Sequence, residues 1–139
     1  TDEIWNRSRA LNIGIQATRG LYVLNTDADM IFAPNFLSTL VDEQVQAQGR
    51  AFCVCHCRDL PETVPEQDWS VEDFPALFDQ APLREKLGTG ACQFASRAHF
   101  ISLRGYDEGY KFWGQEDNDM RYRSTKVMDL EERWIHQRT

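Results

Sequence analysis

The sequence contains no apolar run near the roughly 18 residues that a membrane span needs, and no basic-then-apolar leader opens it. A direct membrane span is therefore not expected. Internal repeats and low-complexity tracts are also absent. Basic residues are in the minority, 15 Lys and Arg against 22 Asp and Glu, for a formal net charge of −7. They are scattered among acids instead of forming a stripe, which argues against a nucleic-acid partner and suits a site that recruits a divalent cation. Cysteine is scarce too. Three of the four stand in Cys53-Val54-Cys55-His56-Cys57, where thiolates and an imidazole invite a zinc reading. In an extended strand, alternate residues share a face about 6.6 Å apart, so the sulfurs would form a row rather than converge on one ion. Small buried thiols in a strand fit better. Unpaired thiols fit a reducing compartment, the cytoplasm or the cytoplasmic face of a membrane.

What is present is an ordinary globular composition, 42% apolar and 27% charged in 139 residues. That is one domain's worth of chain, able to bury about two-thirds of its unfolded surface. Residues 3–18 place Ile4, Leu11 and Ile15 near one helical face, and Gly20 is a natural stop. Leu21-Tyr22-Val23-Leu24 reads as a strand that breaks off at Asn25-Thr26-Asp27-Ala28-Asp29, so the carboxylates sit at its carboxyl end. Pro34 opens a second helix over residues 35–48, closed by Gly49, and residues 50–58 read as another strand. Helix, strand, helix, strand in this order predicts an α/β domain with parallel pairing and a site beyond the carboxyl ends of the strands.

Residues 60–87 hold four of the five prolines and read as a long excursion with one or two short helices. Excursions of this length serve as binding loops or as passive surface wraps. A strand over 91–96, a short helix over 97–103 and a turn at Gly105-Tyr106-Asp107-Glu108 follow. A helix beginning near Glu116 would hold three carboxylates in its first turn and pair Asp117 with Arg121 and Asp119 with Arg123.

Two aspartates separated by one small residue point the same way in extended chain, and their hard oxygens suit Mn²⁺ or Mg²⁺ on a diphosphate. Alone, Asp27-Ala28-Asp29 would be a solvated turn. The acids Glu116, Asp117 and Asp119 are likewise favoured at a helix start by the backbone dipole. That effect does not call for Trp113-Gly114 just before them, an aromatic surface beside a gap where a sugar ring fits, with a carboxylate near enough to deprotonate its hydroxyl. His136, after Trp134-Ile135, would complete a metal site begun by Asp29 if the last strand returned to that edge. His56 and His99 have no comparable context.

In order and separation, these motifs resemble the GT-A glycosyltransferases, and within them the large inverting family 2, with a region similar to the animal β-galactosyltransferases towards the carboxyl end. One block runs from Trp5-Asn6-Arg7-Ser8-Arg9-Ala10-Leu11-Asn12 through Asp27-Ala28-Asp29 to Pro34. The other runs from Ala91 through Gly105-Tyr106-Asp107-Glu108 and Trp113-Gly114-Gln115-Glu116-Asp117 to Arg123. The resemblance implies a partial GT-A, Rossmann-like domain, a mixed and mostly parallel sheet flanked by helices, spanning 1–139 as the carboxyl-terminal two-thirds of the full fold. It implies Arg7 and Asn12 on the nucleotide side, Asp27 on the ribose or metal, Asp29 and His136 on the metal, Asp117 as base with Glu116 beside it, and Trp113 and Gly114 as acceptor platform. The expected reaction is metal-dependent transfer from a nucleotide-sugar donor, UDP-linked, to a glycan, protein or lipid hydroxyl with inversion, and 60–87 would be an acceptor-side loop.

In such folds a strand, helix and strand that hold the nucleotide base come first, and they have no counterpart before Thr1. A missing segment or a homodimer would then complete the sheet. A non-catalytic sugar-binding or assembly remnant of the fold is the second reading, and a metal-dependent phosphohydrolase is the third.

Overall fold

The computed structural model describes residues 5–65, 67–86, 88–111 and 114–136. Helix α1 (Arg7–Ala17) starts where the Asn6 side chain accepts a hydrogen bond from the Arg9 amide at 2.8 Å, satisfying one of the free donors of a helix start. Strand β1 (Tyr22–Thr26) follows, then α2 (Phe36–Gln46), which ends in two left-handed residues, Gln48 and Gly49. Strand β2 (Ala51–Cys55) leads into the excursion, which holds a short 3-10 turn (Val71–Asp73) and helix α3 (Phe74–Gln80). Strand β3 (Cys92–Ser96), α4 (Arg97–Ser102), α5 (Glu116–Tyr122), one π-helical turn (Arg123–Val127) and β4 (Glu131–Ile135) complete the chain. No described helix is long and apolar enough to cross a membrane.

The period-two alternation of the strands divides the interior into two layers. On one face Cys53, Cys55, Cys92 and Phe94 meet Phe36 and Leu40 of α2 and Phe74 of α3. On the other, Val23, Phe52, Val54 and Ala95 meet Ile15 of α1, Phe100 of α4 and Met120 of α5. Both faces of β2 are covered, which is why all five of its residues are buried and its sequence is continuously apolar. The thiols are core groups, all four unpaired. Burial pushes Cys53 up to about 12, and a hydrogen bond with the Cys92 thiol, then burial, raises Cys55 further.

The sheet order is β1-β3-β2-β4. Strands β1, β2 and β4 share one direction and β3 runs against them, so the sheet is mixed as expected. The expected parallel pairing holds only for β2 with β4, because β3 lies between β1 and β2 and is antiparallel to both. The reason is the excursion. It leaves β2 at the carboxyl edge and packs α3 against that same edge, so the chain re-enters the sheet there and must run backwards. Strand β1 also extends through Asn25 and Thr26, which pair with Gln93 and Cys92. These polar residues were expected to end the strand, but Asn25 is accommodated by a hydrogen bond to the Tyr106 hydroxyl.

Candidate functional site

Because β3 is reversed, its amino end lies beside the carboxyl ends of β1, β2 and β4. Asp27 after β1, His56 after β2, His136 after β4 and Thr89-Gly90 before β3 therefore meet at one edge. The ladder continues one step past the strands, with Asp27 N–H donating to Ala91 O and His56 N–H to Ile135 O, each at 3.1 Å.

Arg7, in the first turn of α1, ties this edge together. It donates to Asp27 Oδ1 at 2.8 Å, to Glu116 Oε1 at 3.1 Å and to the Gly90 carbonyl at 2.9 Å. Burial alone would lower its pKa, but the bonds and charges of Asp27 and then Glu116 outweigh that and raise it. Arg7 therefore stays a cation and holds together two acids that are far apart along the chain, Asp27 and Glu116. Glu116 is 4% exposed. Its other oxygen accepts the Gly114 amide at 3.1 Å. Gly114 and Gln115 both have left-handed φ values, 109° and 76°, so the chain turns sharply into α5 just before the two acids.

Asp117 lies against Gly90. A Cβ on Gly90 would fall 2.5 Å from Asp117 Oδ2, so any side chain there would displace the carboxylate from its present place. The Thr89 hydroxyl is 3.1 Å from the same oxygen and 2.9 Å from Asn118 Oδ1, sharing one proton between them. Oδ1 of Asp117 has no hydrogen bond among the described residues. The backbone behind it is fixed: the buried Gln93 amide donates to Asp117 O at 2.9 Å, and the Tyr106 hydroxyl donates to Gln93 Oε1 at 2.6 Å. Burial drives the Tyr106 pKa upward, which keeps that phenol a donor.

On the other side of Asp27 a cavity of about 310 Å³ opens between the strand ends and α3, lined by Asp27, Asp29, His56, Arg58, Phe74 and Leu77 among others. Asp29 is exposed and makes no ion pair or hydrogen bond among the described residues. His136 is exposed at the rim, its ring centre 5.6 Å from that of His56. Among the described residues no three His, Cys, Asp or Glu side chains already form a metal shell. The donors are nonetheless of the right kind, since Asp29 is unpaired and Asp27 keeps one oxygen clear of Arg7.

Two expected neighbours lie elsewhere. Asn12, expected on the nucleotide side, is buried with its whole amide committed to the 105–108 turn. It accepts from Tyr106 N–H at 2.7 Å and donates to Tyr106 O and Glu108 Oε1, both at 2.9 Å. Gly105 is glycine because a Cβ there would strike this amide. Arg121, expected to pair with Asp117, bonds Glu132 of β4 at 2.8 Å instead, whereas Arg123 does pair with Asp119 at 2.7 Å. Trp113 lies outside the described residues. Sequence reasoning missed Thr89, Gly90 and Gln93, whose importance depends on long-range pairing, and His56. The signal for His56 was its place, one residue past a strand end, as Asp27 is.

A model of glycosyl transferase family 2 matches residues 2–119, the greater part of the chain. The chain belongs to glycosyl transferase family 2. The domain is therefore a glycosyltransferase domain, a class that takes a nucleotide-sugar donor and an acceptor. No curated protein matches the chain. The family match ends inside α5, so β4 and His136 lie beyond the matched segment.

Proposed function

We propose that this family 2 domain transfers a sugar from a UDP-linked donor to an acceptor hydroxyl with inversion, using Mn²⁺ or Mg²⁺. The observation that carries this reading is Asp117, fixed through Oδ2 and its backbone while Oδ1 makes no hydrogen bond among the described residues. A carboxylate so placed is a base. The acceptor O–H attacks the anomeric carbon from the face opposite the diphosphate. The new C–O bond forms as the old one breaks, its electron pair leaves on the diphosphate oxygen, and the hydroxyl proton passes to Asp117 Oδ1. Glu116, pinned by Arg7 and the Gly114 amide, orients the sugar or acceptor hydroxyls. Gly114 and Trp113 form the acceptor platform, and residues 60–87 supply the acceptor-side wall with α3.

Asp29 and Asp27, with His136, would hold the ion; when bound it offsets the charge growing on the departing nucleoside diphosphate. Arg7 orients Asp27 from the opposite side and holds the neighbouring acids at a tolerable separation. Four unpaired thiols support a reducing compartment, the cytoplasm or its membrane face. Replacing Asp117 with Asn tests the reading. Transfer should fall by about 10²- to 10⁴-fold while donor affinity stays unchanged; normal turnover would remove Asp117 from the base role.

A further inference from the structure

We propose that His56 is a ligand of the divalent ion, acting through Nδ1 and paired with His136. The parallel register of β2 and β4 sets Cys55 opposite Ile135, so the next residues, His56 and His136, stand side by side at the carboxyl edge. The His56 amide donates to Ile135 O, which fixes its backbone there. Neighbouring strands lie about 4.8 Å apart, and the two ring centres are 5.6 Å apart. Two imidazoles in adjacent positions of an octahedral ion such as Mn²⁺ put their ring centres roughly 4.5–5 Å apart. The two rings would have to close by roughly 1 Å from where they stand, a rotation open to the exposed His136 side chain.

The second observation is the state of the His56 ring. Its Nε2 lies 3.2 Å from the Arg84 carbonyl. A carbonyl only accepts, so Nε2 carries the proton. In the neutral ring Nδ1 then has a lone pair, yet that atom is buried and has no hydrogen-bond partner. A buried acceptor left without a donor is destabilising. Metal-bound histidines characteristically give their other N–H to a carbonyl or carboxylate, which fixes the tautomer and leaves the coordinating nitrogen bare. His56 is in that condition, and it lines the same cavity as Asp27 and Asp29. A ligand set with two imidazoles also favours Mn²⁺ over the harder, oxygen-seeking Mg²⁺.

The inference rests on the proposed reading in one respect, that the domain takes a divalent ion. The test is a long-range ¹H–¹⁵N spectrum of the histidine-labelled chain, which holds only three histidines. His99, buried beside Ser124, is the internal control. Before metal, His56 should show the Nε2–H tautomer; an Nδ1–H ring would overturn the proposal. Sub-stoichiometric Mn²⁺ should broaden His56 and His136 together while His99 persists. In His56→Gln, the Mn²⁺ needed to broaden His136 should rise by on the order of tenfold. Binding of Mn²⁺, seen by water relaxation and lost in Asp29→Asn but leaving the His56 signals sharp, would overturn this inference and leave the Asp29 site standing. Joint broadening that survives Asp29→Asn would support the histidine pair and remove Asp29 from the metal shell. No Mn²⁺ binding by the chain would overturn the proposal outright.

Discussion

The two sides of the cleft differ in how far their polar groups are satisfied. On the Arg7 side, one guanidinium binds Asp27, Glu116 and a carbonyl, and Asp117 is held from behind by Gln93 and Tyr106. On the side formed by the ends of β2 and β4, His136 is exposed, and among the described residues Asp29 and His56 Nδ1 have no hydrogen-bond partner. The closed side holds its acids in place through its own hydrogen bonds. Removing a residue from the first side should therefore cost folding as well as activity, and from the second side ligand affinity alone.

The largest effect should come from Arg7→Ala. It leaves Glu116 buried without its cation, and breaking a buried pair in this way costs about 3–5 kcal/mol. The Arg7 side chain is 19% exposed, so the lower end applies. Urea denaturation should show that loss together with loss of transfer; a midpoint within about 0.5 kcal/mol of the parent would mean that the closed side is not a structural unit. Asp29→Asn, by contrast, should leave the midpoint unchanged and lose only metal and donor affinity.

A smaller and more selective effect should follow Gly90→Ala. The added methyl must displace the Asp117 carboxylate, while the backbone there is not left-handed and accepts alanine. Stability should change by no more than about 1 kcal/mol, whereas kcat should fall about tenfold, the cost of a base moved from its position. Unchanged kcat with unchanged stability would show that Asp117 tolerates displacement.

How far this contrast was legible in the sequence depends on distance along the chain. The short, mostly apolar runs at Ala51–Cys55 and Cys92–Ser96 are local, and so were the two strands and the buried thiols read from them. The position of Asp27-Ala28-Asp29 past a strand was legible for the same reason. The insertion of β3 between β1 and β2 was not, because pairing order depends on where the excursion returns the chain. Asn12 was expected on the nucleotide side, and its bonds to Tyr106 and Glu108, 94 and 96 residues away, could not be read from the local sequence. The Asp117–Arg121 pairing followed helical spacing, but Glu132, brought by β4, competes better. His56 looked ordinary until the β2–β4 register put a second imidazole beside it.

The smallest effect belongs to the core. Burial raises Cys53 from an ordinary thiol value of 9.0 to about 12. Folding therefore retains a proton that the unfolded chain gives up, so this contribution is complete below pH 9 and is lost as pH rises towards 12. By pH 10 about 1.4 kcal/mol of it is lost for such a thiol. Denaturation midpoints should fall between pH 9 and 11, and Cys53→Ala should flatten that decline; an unchanged slope would place the loss elsewhere.

Calorimetric titration of the chain with UDP, with and without Mn²⁺, tests the central claim most directly. Binding should require Mn²⁺ and disappear in Asp29→Asn, while Asp117→Asn binds as the parent does. Equal binding without metal, or binding retained in Asp29→Asn, would contradict a metal-held donor at this edge.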